Sequence, residues 1–279
     1  MAYISKVGSD LFGDWLMALW QKEGVNTDHV QRGDAHTAAY FVTHSEKSGH
    51  QFHFLRQQSA ASAMQPLDFD FSVLAGAKYL HFSGISQAIS PSARETCRTA
   101  VAAAKNAGVR VVYDSNLRLK LWDKKTAREA MLETLPLVDV FLPSLDDMQA
   151  ITGLQKPQAI LDWTLQAAGH TGCAQICLKM GKEGVIALER ARLQQTPAQF
   201  GAEAWREVIL PHKVDSVDAT GAGDCFAGSL LARLSQGDNL AQAARYANAS
   251  AALSTTGYGA IAPIPQTQQV LQLLAQRET

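Results

Sequence analysis

The spacing of hydrophobic positions changes period along the chain. Between Asp10 and Glu23, Phe12, Trp15, Leu16 and Leu19 recur at helical spacing and Gly24 supplies a stop, predicting a first helix. Residues 37–43 and 51–55 are rich in β-branched and aromatic types, and Ser45, Glu46, Lys47, Ser48 and Gly49 lie between them as turn material, predicting a hairpin. From Lys78 the pattern alternates. An apolar strand at 79–82 precedes a helix starting near Ser90 and Pro91, and a strand at 109–113 follows Gly108. Further helices are predicted at 124–135 and 145–151, strands at 138–142, 175–179 and 184–188, and closing helices at 222–234, 239–255 and 266–276. Strands separated by helices predict an α/β fold with a mostly parallel sheet covered on both faces and ligands at the carboxyl ends of the strands.

Composition narrows the function. The 279 residues are 47% hydrophobic and 18% charged, with 20 Gly and 9 Pro, the range of an ordinary folded protein. Lys and Arg number 25 against 26 Asp and Glu, so no basic excess points to a nucleic-acid partner. No apolar run approaches a membrane span and no signal-peptide pattern opens the chain, so a cytoplasmic protein without membrane partners is expected. Cys97, Cys173, Cys177 and Cys225 lack zinc-like spacing and are expected as free thiols. His50 and His53 flank the hairpin turn and are expected in solvent, as are Lys120, Lys124 and Lys125; Trp15, Trp20, Trp163 and Trp205 are expected in cores or half-buried faces.

The chemistry concentrates in residues 217–228, VDATGAGDCFAG. Gly221, Ala222 and Gly223 precede a helix with an apolar face at Phe226, Leu230, Leu231 and Leu234, so backbone N–H groups and the positive end of the helix dipole converge on one point. Such a point binds anions. Asp224, in the first turn, is placed to accept a hydroxyl proton while the adjacent amides steady a transferring phosphoryl group. Taken alone, the glycines are equally consistent with a tight turn and Asp224 with a favourable helix start. No GxxxxGK[ST] sequence occurs, and the glycines come too late in the chain for a dinucleotide-binding first turn.

The longer string D-x-T-G-A-G-D-x-F-x-G resembles the C-terminal signature of the ribokinase family, also called the PfkB carbohydrate kinases. The resemblance runs in order along nearly the whole chain, through KVGSDLFG at 6–13, KMGKEG at 179–184 and GYGA at 257–260. It implies a ribokinase-like three-layer αβα sandwich, with residues 1–24 and 58–279 as the nucleotide and catalytic domain and 25–57 as a β lid over the sugar. It also implies ATP and Mg²⁺ as cofactors, with a monovalent cation left open, and a homo-oligomer joined through the lid. Asp224, with Gly221, Ala222 and Gly223, would form the catalytic turn. Asn116, Lys179, Gly181, Gly184, Asn248 and Gly257 would line the nucleotide, and Asp147 would stand near magnesium and phosphate.

The acceptor is read from the lid and from DSNLRLKLW at 114–122. This run resembles both 2-keto-3-deoxygluconate kinases and fructokinases, whereas FLRQQSAAS at 54–62 and YLHFSGI at 79–85 are similar to the former. A sugar acid also suits guanidinium groups, which bind carboxylates through paired, charge-assisted hydrogen bonds. Arg56 and Arg118 would supply them, with Tyr40 and Phe54 beside the sugar. The expected activity is phosphorylation of a primary hydroxyl of a sugar acid, 2-keto-3-deoxygluconate. A fructokinase or other neutral-sugar kinase is the alternative, and a catalytically weak nucleotide-binding remnant a third reading.

Departures from the family pattern enter the same expectations. Family members carry about thirty further residues before the KVGxDxFG block, holding a first strand and a Gly-Gly-x-x-x-N segment, so the first strand of the fold is expected to be missing here. The family's N-x-x-E segment stands as Ser144, Leu145, Asp146 and Asp147. Phe54 replaces an aromatic hydroxyl, and Tyr258 an acidic residue.

Overall fold

The computed structural model describes residues 1–45, 49–190 and 206–276, with the backbone alone for 42–45 and 49–52. Trp205 and the side chain of His50 therefore lie outside the described residues. Contacts divide the chain into two units: Met1–Ala77, Gly84–Val109 and Arg118–Asp123 form the first, and Lys78–Ser83, Arg110–Leu117 and Lys124–Thr279 the second.

In the first unit, β1 (Ser5–Gly8) leads into α1 (Leu11–Lys22) and pairs in parallel with β2 (Val30–Gly33). Asp10 is the N-cap of α1: its Oδ1 accepts from Gly13 N at 2.8 Å and from Thr37 Oγ1 at 2.7 Å, and its Oδ2 from Thr37 N at 2.7 Å. These donors favour the ionised carboxyl, with the Thr37 amide the strongest, and hold its pKa down at about 2. The predicted hairpin forms as β3 (Ala39–Ser45) and β4 (Gly49–Leu55), an antiparallel pair in which Tyr40 faces Phe54. A short α2 (Gly84–Ala88) precedes α3 (Pro91–Asn106), whose N-cap Ser90 accepts from Ala93 N at 3.0 Å and whose first residue is the expected proline.

One expectation fails here. Trp15 is 58% exposed, and its helical neighbours Leu11 and Phe12 are exposed as well, because two four-residue strands are too narrow a platform to cover the apolar face of α1. Trp20, by contrast, is partly buried and makes an edge contact with Tyr3, their ring centroids 4.8 Å apart.

The second unit is built on a six-stranded sheet. Strands β5 (Tyr79–Ser83), β6 (Arg110–Asp114), β7 (Val140–Leu142) and β8 (Gln175–Lys179) run parallel, and β9 (Val185–Glu189) and β10 (Arg206–Ile209) continue it antiparallel, in the order β10-β9-β8-β7-β6-β5. Around the strands run α4 (Lys124–Thr134), α5 (Leu145–Thr152), α6 (Pro157–Ala167), α7 (Ala222–Gln236), α8 (Leu240–Ser254) and α9 (Thr267–Ala275). Side chains alternate across a strand, so β6 presents Val112 to one face and Val111 and Tyr113 to the other. On the Val112 face, Val140, Cys177 and Ala187 pack with Phe226 and Leu230 of α7 and Ala244 and Ala247 of α8. On the other, Tyr113 stacks on Phe141 at 5.6 Å between centroids, both essentially excluded from water. Continuous apolar strands are what a sheet buried on both faces demands. The architecture is a ribokinase-like α/β fold with a mostly parallel central sheet and a small antiparallel lid sheet.

Candidate active site

Polar groups gather at the carboxyl ends of β6 and β8 and just beyond β7. At the end of β6, Asp114 is buried; its Oδ1 accepts from Asn116 N at 3.1 Å and its Oδ2 from Lys179 Nζ at 2.5 Å. The predicted nucleotide residue Asn116 sits at φ +30°, a left-handed backbone that asparagine tolerates better than most side chains. A second carboxylate fixes the same turn, since Asp147 Oδ2 accepts from Ser115 Oγ at 2.7 Å and from Leu117 N at 3.1 Å. Ser144, in the place of the family's asparagine, is the N-cap of α5 and accepts from Asp147 N.

The glycine-rich turn behaves as its composition requires. Gly221 is the N-cap of α7 at φ +78°, and a Cβ there would lie 2.8 Å from Ala260 Cβ, so both conformation and space demand glycine. Among the described residues no side chain caps this helix. Ala222 N donates to Ala219 O at 3.2 Å and Cys225 N to Gly221 O at 2.8 Å, so the chain enters α7 through a tight turn at the positive end of the helix. Asp224 lies in that turn and is exposed. The turn is set by Asp218, whose Oδ1 accepts from Thr220 N at 2.9 Å and Thr220 Oγ1 at 2.6 Å and whose Oδ2 accepts from Gly259 N at 2.9 Å. Lys179 approaches the same helix end: a Cβ on Gly223 would be 3.7 Å from its Nζ.

The remaining predicted nucleotide residues shape the backbone. Gly181 (φ +56°) and Gly184 (φ +92°) form the β8–β9 turn, and a Cβ on Gly184 would strike Ile209 O at 2.1 Å. Gly257 lies against Pro263, within 3.0 Å of a would-be Cβ. Asn248 is buried, and its amide donates to Leu210 O at 3.0 Å, a bond that anchors the chain after β10.

In the first unit, the lid residues meet as their register directs. The rings of Tyr40 and Phe54 lie 5.9 Å apart, and the Arg56 guanidinium sits 4.0 Å above the Phe54 ring. Tyr40 and Arg56 line a cavity of about 170 Å³ with Ser59, Ala61, Ile85 and Ile89. Partial burial and the nearby Arg118 charge both push the Arg56 pKa below its usual value, with Tyr40 opposing, so two guanidinium groups share one neighbourhood. Like charges so placed favour an anion between or beside them.

Residue type and spacing alone do not single out Asp114 and Asp218 as site residues, although both stand inside informative runs, DSNLR and DATGAGD. Among the described residues no group of three or more His, Cys, Asp or Glu side chains could hold a metal ion. Asp147, whose Oδ2 accepts from Ser115 Oγ and Leu117 N, is a single carboxylate, which fits a magnesium ion carried mainly by nucleotide phosphates, since Mg²⁺ is commonly bound through one or two carboxylates plus phosphates. No described helix is long and apolar enough to cross a membrane.

The pfkB family carbohydrate kinase model matches residues 1–267, and the chain belongs to that family. It is a carbohydrate kinase, a phosphotransferase acting on a sugar hydroxyl. It is 30% identical over 282 residues to the Arabidopsis thaliana protein named "Probable fructokinase-4", covering 98% of this chain and 81% of that one. Among solved structures, fructokinase from Vibrio cholerae O395 in its fructose-, ADP- and calcium-bound form aligns with a TM-score of 0.81 at 26% identity, over 98% of this chain and 85% of that one. The 2-dehydro-3-deoxygluconokinase of Thermotoga maritima aligns with a TM-score of 0.84 at 22% identity, over 98% and 83%, and shares the fold.

Proposed function

We propose that this kinase uses MgATP to phosphorylate a primary hydroxyl of a sugar acid, 2-keto-3-deoxygluconate. The observation that carries the acid is the placement of Arg56, partly buried on the cavity lined by Tyr40 and under the charge of Arg118. A carboxylate would relieve that repulsion through charge-assisted hydrogen bonds, which a neutral sugar cannot match. In this reading Asp224 takes the proton of the acceptor hydroxyl as its oxygen bonds to the γ-phosphorus and the bond to ADP breaks. The turn of Gly221, Ala222 and Gly223, at the positive end of α7, would steady the charge on the transferring group, the Ala222 amide being shared with Ala219 O. Asn116, Lys179, Gly181, Gly184, Asn248 and Gly257 belong to the nucleotide side, the last four through the backbone they shape. Mg²⁺, held with the help of Asp147, would supply charge neutralisation on the phosphates.

Fructose is the second reading, favoured by the fructokinase named among the relatives and by the fructose-bound structure from Vibrio cholerae. A coupled ADP-release assay with each sugar, on wild type and Arg118→Ala, separates them. The acid reading expects selective turnover of 2-keto-3-deoxygluconate, with KM raised roughly tenfold or more in the variant, as loss of about 1.5–3 kcal/mol of charged hydrogen bonding implies. Selective turnover of fructose, indifferent to Arg118, would replace it. A homo-oligomer joined through the lid belongs to the same proposal, supported by the exposed Phe41 and Leu55, and light scattering at several concentrations tests it.

A further inference from the structure

We infer that Asp114 is a positioning residue, whose carboxylate holds the Lys179 ammonium beside the amino end of α7 so that a full positive charge joins the positive end of that helix in steadying the phosphoryl group. The inference rests on the kinase reading above and adds to it a residue and a division of labour.

Three observations carry it. First, strand alternation places Arg110, Val112 and Asp114 on one face of β6 and Gln175, Cys177 and Lys179 on one face of β8. The middle of that row is apolar and buried at Val112 and Cys177. At the amino ends of the strands Arg110 reaches the neutral Gln175 at 2.7 Å, whereas at the carboxyl ends a full ion pair forms, with side chains 6% and 15% exposed for Asp114 and Lys179. A buried ion pair is weak support for stability and can often be replaced by well-packed apolar groups, so the fold alone does not call for one here.

Second, Lys179 is aimed at the phosphate end of the second unit. Gly223 is the second residue of α7, and a side chain there would meet the ammonium at 3.7 Å. An ammonium has three donors, of which Asp114 Oδ2 engages one. Third, Asp114 is itself held, through Asn116 N on its other oxygen, so the pair has little freedom to rearrange. His81, on the neighbouring strand β5, stands close enough to feel the charges of both Asp114 and Lys179.

The test is a double-substitution cycle with Lys179→Met, Asp114→Asn, the two combined, and Lys179→Arg, read as kcat and sugar KM by ADP release and as MgATP affinity by calorimetry. Lys179→Met should lower kcat about 100-fold with sugar KM within about twofold, on the scale of removing one donor to a developing oxyanion. Lys179→Arg should recover part of the loss. Asp114→Asn should lower kcat roughly tenfold, and the combined variant should be no worse than Lys179→Met, because Asp114 acts through Lys179. Wild-type kcat in Asp114→Asn, or losses that multiply in the combined variant, would overturn the inference. If Asp114→Asn does not fold, Asp114→Glu, which moves the carboxylate by one methylene, takes its place in the cycle. If the wild type turns over no sugar, the kinase reading fails by itself and MgATP affinity decides. A shared, non-additive loss then supports the positioning role, while additive losses, no loss, or no binding by the wild type overturns it.

Discussion

The start of α7 and the lid hairpin solve opposite problems. The first is fixed from several sides: Asp218 ties the turn to Gly259, Gly221 is wedged against Ala260, and the Asp114–Lys179 pair stands beside Gly223. The second is a two-stranded ribbon whose Tyr40, Phe41, Phe54 and Leu55 are all exposed. Phosphoryl transfer needs preorganised donors and tolerates little movement, whereas choosing a sugar needs a surface whose side chains can differ while the backbone stays the same. On the proposed function, rigidity and variability are thus assigned to different units of one chain.

The largest effect that would break this contrast comes from Asp224→Asn. Its kcat should fall by about 10³-fold with MgATP affinity retained, as expected for loss of a positioned general base, and ADP release together with calorimetry reads both. An active Asp224→Asn would leave the α7 turn as an anion site without a base. Next, Gly221→Ala should cost at least about 1–2 kcal/mol from its left-handed backbone alone, with the contact to Ala260 adding to it. A lowered Tm accompanied by lost turnover would confirm that the turn is rigid by necessity. On the lid side, Arg56→Ala should raise KM for the acid roughly tenfold while leaving Tm within a degree or two, because the residue follows β4 directly and only part of it is buried, against the Phe54 ring.

Two smaller effects sharpen the picture. The Asp10 carboxyl has its pKa depressed to about 2, so its stabilising contribution is fully present above the ordinary value of 3.8 and is lost as pH falls through about 2. Acid unfolding between those values should therefore be steeper in wild type than in Asp10→Asn, measured by fluorescence. Finally, burial pushes the thiols of Cys97, Cys173 and Cys177 up to about 12, so native-state labelling followed by mass spectrometry should modify Cys225 first.

The same contrast explains what could be read in advance. The buried parallel strands and the helices of the second unit announce themselves through apolar runs and periodicity: β8 falls at 175–179 as expected, and α7 and α8 lie within two residues of expectation. β1, β2 and β10 escape because four residues carry too little pattern, and α6 because Pro157 opens it without a side-chain cap. Trp15 misleads because helical spacing identifies an apolar face without saying what covers it. In the site, the turn around Gly221 follows from residue type and spacing. The pairing of Asp114 with Lys179 does not, since it joins residues 65 apart in sequence through the register of three strands.

The tie from Asp218 reaches forward along the chain. Its own amide and that of Val217 donate to Thr255 O, and its carboxylate waits for Gly259 N. During synthesis, which delivers the amino-terminal part first, the sheet strands through β10 emerge before any of these partners exist. The turn that the proposed function gives to the phosphates thus matures after the scaffold that displays it. A nascent chain halted before residue 255 would carry the sheet without the tether that shapes its phosphate end, and nucleotide affinity becomes a report on the last stage of folding.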